Sequence, residues 1–80
     1  MTVTVLLFAS YAEAIGRSTI ELDLEAGATV QEVVERVRGM ADVTRLPPAP
    51  MVAVNEQYAS RDRKLQSGDE VALIPPVAGG

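Results

Sequence analysis

The residues with the clearest chemical capacity are the last six, Pro75-Pro76-Val77-Ala78-Gly79-Gly80. Gly79 and Gly80 carry no side chains, so their backbone can approach another surface closely and take angles closed to other residues. The reactive group they present is the Gly80 carboxylate. A free carboxylate is ionised at neutral pH and resists nucleophilic attack, so chemistry on it requires activation. Pro75 and Pro76 remove backbone donors and hold the base of the segment extended. The five residues from Pro76 to Gly80 span roughly 15–18 Å when fully extended. That length would thread a carboxylate into a buried site on another protein. The competing reading is a frayed terminus without a role, since chain ends are commonly disordered.

The rest of the chain offers little other chemistry. It has no cysteine, which removes disulfides, thiolate metal sites, iron–sulfur clusters and cysteine nucleophiles. It has no histidine, the commonest general base and metal ligand. No catalytic base or metal site is evident in the sequence. The mixed cluster Arg61-Asp62-Arg63-Lys64 could meet a phosphate, but a solvated loop is the better reading. Eleven acidic and seven basic residues give a net charge of −4. That balance argues against nucleic acid, which requires a basic patch. It suits a partner with a basic groove, or simply solubility. The apolar runs are too short to span a membrane, and the N-terminus lacks the pattern of a signal peptide, so a soluble cytoplasmic protein is expected.

Eighty residues, 48% of them hydrophobic, correspond to one domain with its own core. Residues 2–8, T-V-T-V-L-L-F, are rich in β-branched and aromatic types and read as a strand. Alternation puts Val3, Val5 and Leu7 on one face and Thr2, Thr4, Leu6 and Phe8 on the other. Leu6 and Phe8 then either meet further core or form an exposed apolar patch, which on a small protein marks a contact site. Residues 9–17 form a connection with a helical turn over residues 11–15, stopped by Gly16. Residues 18–24 alternate again, with Ile20, Leu22 and Leu24 inward, as a hairpin partner of the first strand. Thr29 and Glu32 have the spacing of a capping box, and Val30, Val33, Val34, Val37 and Met40 follow at helical spacing. Four valines are weak helix formers, so this helix depends on packing against a sheet. Glu32 and Arg36 have the order that favours a surface pair.

Residues 42–50 contain Pro47, Pro48 and Pro50 and read as a stiff surface loop. Residues 51–54 are a short buried strand, 55–57 a turn, and 58–60 the start of an edge strand. Leu65 is an isolated apolar anchor, and Ser67-Gly68-Asp69 is a turn. Residues 70–75 are the last strand, with Val71 and Leu73 on one face and Ala72 and Ile74 on the other. Being apolar on both faces, it is expected to lie centrally beside the first strand. The resulting order, β-β-α-β-(β)-β, is an α+β roll with one sheet face covered by the helix.

Several stretches then carry a resemblance: V-L-L-F-A at residues 5–9 with Glu13 and Gly16, T-V-Q-E-V at 29–33, A-V-N-E-Q-Y at 53–58 and L-Q-S-G-D-E-V-A-L-I-P-P-V-A-G-G at 65–80. In order and spacing they resemble the prokaryotic sulfur carriers of the ubiquitin-like β-grasp fold, and among these the small subunits of molybdopterin synthase. The resemblance implies a mixed sheet of four to five strands with one main helix, residues 1–75 as the domain and 76–80 as a flexible reactive tail. It implies that an adenylyltransferase related to ubiquitin-activating enzymes uses ATP to convert the Gly80 carboxylate into an acyl-adenylate. A sulfur donor then displaces AMP to leave a thiocarboxylate. The large catalytic subunit of molybdopterin synthase would receive the tail, and sulfur would pass to cyclic pyranopterin monophosphate. Gly79 and Gly80 are the functional pair implied, with Pro75, Pro76, Val77 and Ala78 aiming the tail and Phe8 on the docking surface. No bound cofactor or metal is implied. Ala12 stands where the family often has arginine, so a partner contact there must come from another residue. The alternatives are a sulfur carrier for the thiamin thiazole, a protein modifier joined to lysines through Gly80, and a plain binding module with an inert tail.

Overall fold

The computed structural model describes residues 1–41 and 50–76. The chain forms β1 (Thr2–Leu7), α1 (Ser10–Ile15), β2 (Thr19–Asp23), α2 (Val30–Arg38), β3 (Met51–Val54), β4 (Gln57–Tyr58) and β5 (Glu70–Ile74). The strands make one five-stranded sheet in the order β2-β1-β5-β3-β4. β1 and β5 run parallel at its centre, and the other pairings are antiparallel. The two central strands are those that also carry apolar residues on the face away from α2, Leu6 on β1 and Ala72 and Ile74 on β5.

Period-two alternation sorts each strand into a core side and an open side. Val3, Val5 and Leu7 of β1, Ile20 and Leu22 of β2, Val52 and Val54 of β3, and Val71 and Leu73 of β5 are all buried. They join the helix stripe Val30, Val33, Val34 and Val37 in one cluster. Met40 does not belong to that stripe as expected. α2 ends at Arg38, and Met40 is 47% exposed. Tyr11 on α1 is fully buried, so the β1–β2 connection adds a large aromatic to the core. Burial pushes its phenol above the ordinary value.

The expected capping box at the start of α2 does not form. Thr29 is the N-cap, but its side chain makes no capping hydrogen bond. The first free helix amides are instead satisfied by backbone. Val30 N–H donates to the Arg63 carbonyl at 3.0 Å and Gln31 N–H to the Arg61 carbonyl at 2.9 Å. Thr29 also pairs with Lys64 as a β-bridge. The charged segment of residues 61–64 therefore has a structural role in its main chain, while the Arg61 guanidinium donates to the Pro50 carbonyl at 2.9 Å. The Arg36 guanidinium reaches the Asp23 carbonyl at 3.5 Å.

The strand ends differ slightly from expectation. β1 stops at Leu7 and β5 at Ile74, and β4 covers residues 57–58. The β3–β4 turn is thus the two-residue loop Asn55-Glu56, between the paired Val54 and Gln57. Both residues have positive φ, 50° and 72°, as a type I′ hairpin requires. A left-handed conformation costs an L-residue about 1–2 kcal/mol. Asparagine tolerates it through local hydrogen bonding, whereas glutamate does not. The expected proline loop lies outside the described residues apart from Pro50. Among the described residues, no helix is long and apolar enough to cross a membrane.

Candidate functional site: an alanine-floored groove on the open sheet face

The register places a row of four side chains across the face opposite α2. Leu6 lies opposite Ala72, Ala72 opposite Ala53, and Ala53 opposite Tyr58. Two small residues between two large ones leave a trough. Its floor is Ala53 and Ala72, and Leu6 and Tyr58 form its walls. The groove holds about 360 Å³ and is lined further by Phe8, Ile74, Glu56 and Glu70. Phe8 is 46% and Tyr58 72% exposed. Exposed aromatics around an apolar trough on a small domain are the signature of a contact surface.

The groove has two unlike ends. At the C-terminal end of β5, Ile74 faces Met51 on one side, and Phe8 N–H donates to the Leu73 carbonyl at 3.3 Å on the other. This end is apolar, and the chain leaves it through Pro75 and Pro76. At the opposite end, Glu70 lies across from Thr4 and beside the Asn55-Glu56 turn. Asn55 ties the two together. Its N–H donates to the Glu70 carbonyl at 2.8 Å, and its Oδ1 accepts from Glu70 N–H at 3.0 Å. The Asn55 amide donates to Asp69 Oδ1 at 3.0 Å, and Gln66 N–H donates to Asp69 Oδ2 at 2.8 Å. The Gln66 amide first, then the Asn55 amide, hold the Asp69 carboxyl below its ordinary value.

Of the residues singled out from sequence, Phe8 is on the groove wall, while Pro75 and Pro76 follow its apolar end directly. Val77, Ala78, Gly79 and Gly80 lie outside the described residues. Ala53, Tyr58, Glu56 and Glu70 were not anticipated. The signal for the floor was present as an alanine at the open-face position of each of two otherwise bulky strands, but only the cross-strand register makes them neighbours. Among the described residues, no cluster of acidic side chains is arranged to hold a metal ion.

A five-stranded mixed sheet with parallel central strands and a helix across one face defines a ubiquitin-like β-grasp domain. The putative molybdopterin converting factor subunit 1 of Pyrococcus furiosus superposes with a TM-score of 0.85 at 28% identity, covering 96% of this chain and 99% of that one. The crystal structure of SAMP1 from Haloferax volcanii gives a TM-score of 0.81 at 30% identity, with both chains fully covered. Within this class the chain belongs to the ThiS family, whose model matches residues 5–80. A relative from Dictyostelium discoideum, the molybdopterin synthase sulfur carrier subunit, is 36% identical over 80 residues, covering 95% of this chain and 93% of the relative.

Proposed function

We propose that this chain is the sulfur carrier subunit of a molybdopterin synthase. The single observation that carries the proposal is that the family match extends to residue 80, taking in the Gly-Gly pair, while a relative aligned over nearly its whole length is named as such a carrier. An adenylyltransferase uses ATP to make an acyl-adenylate on the Gly80 carboxylate, with release of pyrophosphate. A sulfur donor displaces AMP and leaves the thiocarboxylate. Carrying the sulfur covalently divides one difficult transfer into easier steps. The absence of histidine and cysteine from the chain suits a carried substrate whose acid–base chemistry comes from a partner.

The groove and tail divide the labour. The large catalytic subunit docks on the open face, against Phe8, Leu6 and Tyr58. Pro75 and Pro76 lead away from the apolar end of that surface, and Val77, Ala78, Gly79 and Gly80 reach the partner's active site, where sulfur passes to cyclic pyranopterin monophosphate. The test is single-turnover transfer from the thiocarboxylated chain to that substrate in the presence of the large subunit. Molybdopterin should form as the thiocarboxylate is consumed, and a chain lacking Gly80 should give none. Consumption without product, or equal product from the truncated chain, would contradict the reading.

A second reading draws on the likeness to SAMP1, since a Haloferax volcanii relative named small archaeal modifier protein 1 is 32% identical over 83 residues. In that reading the activated Gly80 is attacked by lysines of other proteins. Isopeptide-linked adducts in cells expressing the chain would favour it.

A further inference from the structure

β5 lies between β1 and β3, so its successive residues direct their backbone groups to one neighbour and then to the other. On the β1 side the parallel register fixes the partners. Thr4 N–H donates to the Asp69 carbonyl at 3.0 Å and Phe8 N–H to the Leu73 carbonyl at 3.3 Å. A residue in a parallel ladder that donates to one position accepts from the position two further on, so the donor due at the Phe8 carbonyl is residue 75. On the β3 side, Asn55 N–H donates to the Glu70 carbonyl at 2.8 Å, and bonded pairs in an antiparallel ladder recur at every second residue. With Ala53 opposite Ala72 and Met51 opposite Ile74, the next donor on that side is due at residue 76. Both positions are proline, which has no N–H. The Phe8 carbonyl accepts instead from Tyr11 N–H at 3.0 Å, in the first turn of α1.

We propose that Pro75 and Pro76 are positioning residues for the terminal carboxylate, each silencing one ladder, so that the central strand stops on both sides before the reactive segment. A single proline would leave the other neighbour able to hold the chain. A consecutive pair is the shortest segment that removes a donor from each side, and proline is excluded from the interior of a central strand for the same reason. Unpaired groups at the end of a ladder are a template for further pairing. With an N–H at both positions, β5 would extend by two residues, at about 3.3 Å each. That would lay roughly 7 Å of chain along the sheet, out of a tail reach of roughly 15–18 Å. A partner acting on the carboxylate would then meet a tail that must first be detached. One amide hydrogen bond shifts such an equilibrium by roughly two- to tenfold, so two bonds would leave on the order of a tenth of the chains ready to react.

The role in activation rests on the sulfur-carrier reading, whereas the ladder stop does not. The experiment compares the parent with Pro75→Ala, Pro76→Ala, their double variant and a synthetic full chain carrying N-methylalanine at both positions. N-methylalanine lacks the N–H as proline does, but it also lacks the ring. Amide hydrogen exchange is measured on each chain, together with steady-state thiocarboxylation by the adenylyltransferase with ATP and a sulfur source. In the double alanine variant the new amides at positions 75 and 76 should exchange roughly tenfold more slowly than in an unstructured chain. Its KM should rise roughly tenfold with kcat unchanged, because only the detached fraction is competent to bind. Each single variant should show a smaller rise, and the N-methylalanine chain should keep the parent KM. New amides that exchange freely, or a KM unchanged in the double alanine variant, would overturn the proposal. A KM raised equally by N-methylalanine would also overturn it, by assigning the effect to the stiffness of the rings. A parent chain that gains no sulfur, from an enzyme active on another carrier, would remove the carrier reading, and protection of the new amides would still establish the ladder stop.

Discussion

Adjacent residues of β5 should respond to substitution in opposite ways, because one points into the core and the next into the groove. Leu73 is fully buried against the valine stripe of α2. Leu73→Ala removes three carbons, worth about 0.8 kcal/mol each in transfer energy, and leaves a cavity that the helix cannot fill completely. The expected loss is about 3 kcal/mol. A domain of this size has roughly 4–12 kcal/mol in total, so the loss takes a quarter or more. At about 2.1 cal/mol/K of unfolding entropy per residue, it lowers the melting temperature by about 18 °C. Ala72→Arg places a long side chain on the open face, where its head can reach water, and should shift stability by less than about 1 kcal/mol. It should nevertheless block docking of the large subunit. Far-UV circular dichroism melts suit both variants, since the chain has no tryptophan, with pull-down on the large subunit as the second readout. A drop under about 5 °C for Leu73→Ala would refute the packing argument. Equal unfolding by Ala72→Arg would refute the division of β5 into two faces.

Two further outcomes follow from the hydrogen-bond pattern. Thr29→Ala should cost less than about 0.5 kcal/mol in urea unfolding, against about 1 kcal/mol for a typical N-cap, because the Thr29 side chain caps nothing and the carbonyls of Arg61 and Arg63 take the helix amides. The hydrogen bonds from the Gln66 and Asn55 amides hold the Asp69 carboxyl below its ordinary value. Its contribution to stability is therefore present above the unfolded-state value and lost as pH falls through the folded one. Asp69→Asn should flatten the acid limb of the stability–pH curve relative to the parent, and an unchanged limb would remove Asp69 from the account.

Much of this fold is legible in the residues themselves. The alternation of Val3, Val5 and Leu7, the stripe from Val30 to Val37, and the two-sided apolar character of β5 together place the helix on one face of a sheet with β1 and β5 central. These are local periodicities, and they survive because nothing in the fold contradicts them. What stayed hidden depends on long-range register. Thr29 and Glu32 satisfy the spacing of a capping box, yet main chain from thirty residues away meets the helix start first. Tyr11 lies in a connection too short to show a helical period, so its burial is a tertiary fact. Ala53 and Ala72 are unremarkable in sequence and become a groove floor only when β3 and β5 pair. The Asn55-Glu56 turn departs from the usual Asn-Gly pattern, which disguised a two-residue hairpin as a longer loop. The proposed reactive group was not legible from Gly79-Gly80 alone, which reads as readily as an inert terminus; it rests on the resemblance carried by residues 65–80.

The most direct test of the account is intact mass spectrometry of the full chain after incubation with ATP, the adenylyltransferase and a sulfur source. An oxygen-to-sulfur mass gain localised to Gly80, absent when ATP is omitted and absent from a chain lacking Gly80, is the predicted result. No gain on this chain, from an activating enzyme that thiocarboxylates another carrier in the same reaction, would contradict the central claim.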